Sequence, residues 1–239
     1  MFLSKSCCTS KRNIPHNGFT LGFTLAEIII TLGIIGVVAA MTMPTLLASI
    51  NKRQTETKLR KAVSLINQAY KMSYNDNGDL SANEAYSLGA EEYFRMYWQP
   101  YIKADICTTP QQCGYDTERP WSMLKGGVWI VNVTYNKNRV TFLTPDGILY
   151  SIWTSGGDGK DVYNRVIVDI NGAKLPNVLG KDVFWLERNQ NDGGVEIIPY
   201  CNSATNEYIN SKCSINGDGA CCAEKVRRAG WKFDSSYPW

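Results

Sequence analysis

Residues 22–50 read GFTLAEIIITLGIIGVVAAMTMPTLLASI, and the rest of the chain is organised around this stretch. Residues 28–50 give 23 consecutive positions without a charge, enough to cross a bilayer as one helix. Glu27 stands at the N-terminal edge of the run. A carboxylate at such a position is costly in lipid and asks for a partner. The helical pattern continues beyond the apolar run to about residue 75, a length of about 80 Å at 1.5 Å per residue. Its outer half is amphipathic. Leu59, Ala62, Val63, Ile66, Ala69, Tyr70 and Ser73 recur at three- and four-residue steps among Lys, Arg, Gln and Asn, so one face is expected to lie on a soluble core. Within the apolar half, Gly33 and Gly36 permit close helix packing. Pro44 removes a helix hydrogen bond. Asn75-Asp76-Asn77-Gly78 is the expected stop.

Gly22-Phe23-Thr24-Leu25-Ala26-Glu27 ahead of an apolar helix resembles the cleavage and methylation segment of type IV pilins and type II secretion pseudopilins. The resemblance implies cleavage after Gly22 by a prepilin peptidase and N-methylation of the new terminal Phe23. It also implies an assembly role for Glu27 and a helix that kinks or melts at Pro44. The sequence holds two copies of the tetrad, Gly18-Phe19-Thr20-Leu21 and Gly22-Phe23-Thr24-Leu25. Only a cut after Gly22 puts Glu27 at mature position five, as the pattern requires. The family usually carries Lys or Arg close before the glycine, whereas here the nearest basic residue is Arg12. Cleavage creates a cationic amine at Phe23. A buried amine and a buried carboxylate each cost several kcal/mol alone, and pairing offsets that cost. The competing reading is an ordinary signal anchor with a chance Glu. The expected organisation is therefore a leader over residues 1–22, a membrane and filament-core half over 23–50, and an extracytoplasmic globular domain over 51–239.

Charge and composition exclude several function classes. The chain has 25 Lys and Arg against 22 Asp and Glu, but Lys5, Lys11 and Arg12 lie in the leader, and removing them leaves 22 against 22. A balanced mature chain does not point to nucleic acid as a partner. Lys52, Arg53, Lys58, Arg60 and Lys61 cluster after the apolar run and fit a solvated face or anionic lipid headgroups. The single histidine, His16, is also in the leader. The mature chain thus holds no Ser-His-Asp triad, Cys-His nucleophile or His-containing zinc site, and no enzyme is expected. The Gly-rich stretch 156–161 lacks the phosphate-loop pattern.

Cys7 and Cys8 are in the leader; Cys107, Cys113, Cys201, Cys213, Cys221 and Cys222 all follow the apolar run. An even number outside the cytoplasm reads as disulfides, with 15 possible connectivities. Cys107 and Cys113 suit a local loop, and the other four form a C-terminal group whose pairs stay open. A zinc site built from thiolates alone is the rival reading, though the spacings do not give two CxxC knuckles.

A second helix is expected over residues 81–102, capped by Ser81 with Glu84 three residues on. Tyr93, Phe94, Tyr97 and Trp98 form its aromatic face. Residues 105–121 read as loop. Strands are expected over 127–135, 139–144 and 148–153 as an antiparallel meander, with a fourth strand over 162–170 and short strands over 183–188 and 195–199. A short helix follows over 223–229. The terminal aromatics Trp231, Phe233, Tyr237 and Trp239 either pack back on the sheet or touch a neighbour. This order agrees with the fold the resemblance implies: α+β and pilin-like, with the long N-terminal helix packed on an antiparallel β-sheet and a disulfide-rich C-terminal region.

Asp169-Ile170-Asn171-Gly172 with Pro176-Asn177 and Gly180-Lys181-Asp182-Val183-Phe184 resembles a segment of bacterial pilin-like proteins that share this N-terminus. Pseudopilin major subunits bind calcium in a loop of this region. Asp158, Asp161, Asp169 and Asp182 are the candidate oxygen ligands here, although their spacing departs from the twelve-residue calcium loop. No other cofactor is expected. The resemblance implies a structural subunit of a type IV pilus or type II secretion pseudopilus. It starts as a single-pass inner-membrane protein with its C-terminal domain extracytoplasmic, and then joins a periplasmic or cell-surface filament. Its expected partners are the prepilin peptidase/methyltransferase, other pilin or pseudopilin subunits, the inner-membrane assembly platform and, before assembly, lipid. The alternatives are a minor pilin serving adhesion or DNA uptake, and a membrane-tethered enzyme.

Overall fold

The computed structural model describes residues 22–78, 87–133, 138–155, 163–189 and 194–239. Two compact units divide at Leu47 and Ala48, and helix α1 (Leu25–Asn77) contributes to both. In the first unit its side chains are exposed on all sides. Among the described residues, α1 is the one helix long and apolar enough to cross a membrane. Its threonines do not leave hydroxyls unmet. Thr31 donates to the Ile28 carbonyl, Thr42 to Val38 and Thr45 to Thr42, each at 2.9 Å. Internal satisfaction of this kind is what a helix surrounded by hydrocarbon needs.

The second unit is a helix-on-sheet sandwich built around six antiparallel strands in sequential order: β1 (Asp105–Cys107), β2 (Arg139–Leu143), β3 (Leu149–Ser155), β4 (Tyr163–Asp169), β5 (Val183–Arg188) and β6 (Ile197–Pro199). The β-branched and aromatic residues alternate along each strand, which gives the sheet two distinct faces. Val140, Phe142, Tyr150, Ile152, Val166, Val168, Phe184 and Leu186 form the first face. It is covered by the outer part of α1 and by α2 (Ala90–Tyr97). The buried residues of α1 are Leu59, Ala62, Val63, Ile66, Ala69, Tyr70 and Ser73, the seven positions of the amphipathic face. Each large apolar side chain fully removed from water contributes about 1.5–3 kcal/mol. An exposed ion pair such as Lys61–Asp146 (2.7 Å) contributes about 0–1 kcal/mol. Apolar burial therefore holds α1 to the sheet, and polar contacts set its register. The Tyr150 hydroxyl donates to the Ala62 carbonyl (3.2 Å) and that of Tyr70 to Gly194 (2.7 Å). The Asn67 amide pairs in both directions with the backbone of Ile197. Gly78, at φ +78°, ends α1 by donating its N–H to Tyr74 at 2.8 Å, as a left-handed C-cap should.

The second face is covered by the segment between β1 and β2, and here the expectation of a strand over 127–135 fails. Its described part is extended loop with a single bridge, Ser122 to Val128. Gly126 and Gly127 take φ near +90° and +84°, which turns the chain across the face. Trp121, Tyr115 and Val133 then pack on Leu149, Ile167 and Val183. The edge partner of β2 is β1, from a stretch expected to be loop. The expected second helix is observed over Ala90–Tyr97; Ser81 and Glu84 lie outside the described residues. The C-terminal region carries α3 (Asn206–Lys212), which was not expected, and α4 (Cys222–Arg228). The signal for α3 is Thr205, whose hydroxyl accepts from the Tyr208 N–H at 3.3 Å, a side-chain N-cap.

Candidate functional site

Phe23 is 83% exposed and precedes the first helical residue, Leu25. Thr24 caps the helix. Its backbone N–H and its hydroxyl both donate to Glu27 Oε2 (2.8 and 2.9 Å), and Glu27 N–H donates to Thr24 Oγ1 (3.2 Å). This is a reciprocal capping box, in which the first-turn carboxylate satisfies donors that the helix leaves open. The pattern Thr-x-x-Glu carries that signal, whereas the resemblance gives Glu27 an assembly role and Thr24 none. Pro44 lies inside α1. Gly33 and Gly36 have open space where a Cβ would stand.

The basic cluster marks the start of the second unit. Lys52 lies over the Trp239 ring at 5.9 Å, and Glu56 accepts the Phe233 N–H at 2.6 Å. Phe233 packs on Tyr237 and Trp239 with centroids 4.3 and 4.8 Å apart. The hydroxyl of the buried Tyr237 donates to the Gly180 carbonyl. The terminal aromatics therefore pack back on their own unit.

All six cysteines of this unit are paired: Cys107–Cys113, Cys201–Cys221 and Cys213–Cys222, with Cα atoms 5.5, 5.5 and 4.9 Å apart. The first pair is the local loop the spacing suggested. The other two set α4 against the chain on both sides of α3. Glu224, fully buried, accepts from Arg227 and Arg228 at 2.7 Å, and Arg228 also donates to Asn206, Asn202 and Ala204. Charge-assisted bonds of this kind are the strong ones, and they tie α4 to the start of α3.

Of the four acidic candidates for calcium, Asp158 and Asp161 lie outside the described residues. Asp169 is fully buried. Its Oδ2 accepts from Tyr115 (2.7 Å) and from the Trp121 indole (3.1 Å), and its Oδ1 from Asn171 N–H (3.3 Å). Asp182 accepts from the backbone N–H groups of Asn177 and Val178 (2.8 and 2.7 Å) and from the Asn171 amide (3.2 Å). Burial pushes the Asp169 carboxyl up to about 8, and the neighbouring Asp182 charge adds to the rise. Burial also raises Asp182, against the pull of its N–H donors. Both side chains accept from the protein's own donors and pin the 108–133 and 170–182 segments to the sheet. Among the described residues, no group of three or more His, Cys, Asp or Glu is arranged to hold a metal ion.

Residues 45–239 match the model of a family of unknown function (DUF6613). The chain belongs to this family. The match takes in all of the second unit and begins inside α1, so the DUF6613 region contains the sheet, both of its covered faces and the three disulfides, while the GFTLAE segment precedes it. No curated protein and no solved structure matches the chain.

Proposed function

We propose that this DUF6613 protein is a pilin-like structural subunit of a type IV pilus or type II secretion pseudopilus, processed after Gly22 and assembled through the apolar half of α1. The observation that carries the reading is the division of labour along one helix. Residues 28–50 are uncharged and carry large apolar side chains that are exposed, whereas the residues from Leu59 to Ser73 pack on an antiparallel meander. An uncovered apolar helix needs lipid or copies of itself. Its N-terminal edge carries Gly22, Phe23 and Glu27 in the order that peptidase recognition, methylation and charge pairing require. In this reading Glu27 exchanges its capping donors for the amine of Phe23, its own or a neighbour's. The protein begins as a single-pass membrane protein with its disulfide-bonded unit outside the cytoplasm, where such pairs persist.

Intact mass and N-terminal peptide sequencing of the protein from its native membrane test this. The expected result is a chain that begins at N-methylated Phe23. An uncut N-terminus, in cells whose peptidase processes other prepilins, overturns it. The second reading is a minor subunit whose globular unit binds a ligand. It uses the same helix and differs only in what the second sheet face does.

A further inference from the structure

Among the described residues, none covers the far end of the sheet's second face. Beyond the Trp121 cluster lies a cleft of about 520 Å³, walled by Trp129, Trp153 and Trp185 and by Arg119, Arg139 and Arg165. That volume falls within the range of small-ligand clefts, about 300–1,000 Å³. The strand register builds it: Arg139 stands opposite Trp153, which stands opposite Arg165, so three strands set the two guanidinium groups against the two sides of one indole. The Arg139 and Arg165 guanidinium carbons lie 5.5 and 5.3 Å from the Trp153 ring centroid, and that of Arg165 lies 5.5 Å from the Trp185 ring. Trp129 packs against Trp185 at 5.4 Å, and Tyr200 stacks behind Trp185 at 4.2 Å.

Among the described residues, three guanidinium groups line the cleft and no Asp or Glu does; Glu187 stands opposite Arg165 in the next strand and is drawn to its charge. Arg139 is only 5% exposed. Among the described residues its hydrogen bonding is a single donation to Ser151 (2.9 Å), and no carboxylate pairs with it. Burial holds its guanidinium down at about 10. A buried cation without an anion is costly, so an anion brought into the cleft gains more here than at the surface. Arg119 stands at the exposed rim, with its Nε on Asn132 Oδ1 at 2.7 Å. Among the described residues, the buried Trp185 indole N–H has no acceptor.

We propose that this cleft is a binding site for a carboxylate-bearing saccharide. The fork of a guanidinium matches a carboxylate in a bidentate manner. Flat indole walls accept the apolar faces of a sugar ring, as aromatic-lined clefts with a few placed polar groups do. A single-stranded nucleic acid fits less well, because it needs a charged track along several phosphates, whereas these guanidinium groups converge on one enclosure beside the 79%-exposed Ile130. The site is independent of the assembly reading, since it lies wholly within the second unit.

The test is isothermal titration of the full-length protein in lipid nanodiscs with three probes: tri-galacturonate, its methyl ester and hexathymidylate. The expected result is saturable heat with tri-galacturonate and at least about tenfold weaker binding of the ester, which keeps the rings and loses the charge. Arg165→Gln is expected to weaken tri-galacturonate by about tenfold or more. Arg119→Ala, at an exposed position that does not carry the fold, is expected to weaken it by about threefold. No heat at millimolar tri-galacturonate, equal binding of acid and ester, or an unchanged affinity in Arg119→Ala and Arg165→Gln overturns the proposal. So does tighter, salt-sensitive binding of hexathymidylate.

Discussion

Asp169 holds the segment that roofs the second face, and its replacement has an effect that the structure lets us size. In Asp169→Ala the Tyr115 hydroxyl and the Asn171 N–H lose their acceptor, while the Trp121 indole retains the Tyr115 oxygen at 3.3 Å. Each buried donor left unmet costs about 1–3 kcal/mol, so a loss of about 3 kcal/mol is expected. Asp169→Asn keeps an oxygen in place and is expected to lose about 1 kcal/mol at neutral pH. The two substitutions share a second signature. The folded-state carboxyl titrates near 8, well above its ordinary value, so the folded chain holds a proton that the unfolded chain has released. The resulting stability is complete at acid pH and is lost as pH rises toward the folded value, at up to about 1.4 kcal/mol per pH unit. Guanidinium unfolding of the full-length protein in detergent, followed by tryptophan fluorescence, measures both quantities. The advantage of wild type over Asp169→Asn is expected to be largest near pH 5 and to shrink toward pH 8. An advantage that stays constant, or grows with pH, refutes the account of burial overcoming the three donors. Equal losses in the Ala and Asn variants refute the role as hydrogen-bond acceptor.

Two further outcomes separate roles that share a residue. Glu27→Gln keeps a side-chain acceptor for Thr24 but removes the charge, whereas Thr24→Ala removes the hydroxyl partner and keeps the charge. If Glu27 pairs with the Phe23 amine, filament incorporation falls by about an order of magnitude or more in Glu27→Gln and stays near wild type in Thr24→Ala, with membrane insertion intact in both. The reverse order identifies capping as the function. For the C-terminal region, the Cys201→Ser, Cys221→Ser double variant opens a loop of about 20 residues and is expected to cost about 3 kcal/mol while leaving Cys213 and Cys222 joined and closed to alkylation. Alkylation mapped by peptide mass to Cys213 and Cys222 in that variant contradicts the pairing.

Periodicity by itself determined the long helix and the face it buries. The seven positions from Leu59 to Ser73 are legible because a helix repeats every 3.6 residues, and burial selects one side of it. The stop at Gly78, the β2–β3 hairpin, the separate strands β4 and β5 and the local Cys107–Cys113 loop follow from equally short-range rules of turn chemistry, alternation and loop length. The tertiary structure alone decided how distant groups meet. The 127–133 segment has the composition of a strand but no free sheet edge, since β1 takes the place beside β2, and two glycines fold that segment over the second face instead. The vicinal Cys221 and Cys222 point to opposite partners, a choice that local spacing leaves open. Asp169 and Asp182 resemble loop ligands in the sequence because their acidity is local, whereas their donors come from Tyr115, Trp121 and the 171–178 turn. Arg139, Trp153 and Arg165 are unremarkable in three separate strands. They become one cleft only when cross-strand register places them side by side, because that juxtaposition depends on long-range pairing that no window of the sequence contains.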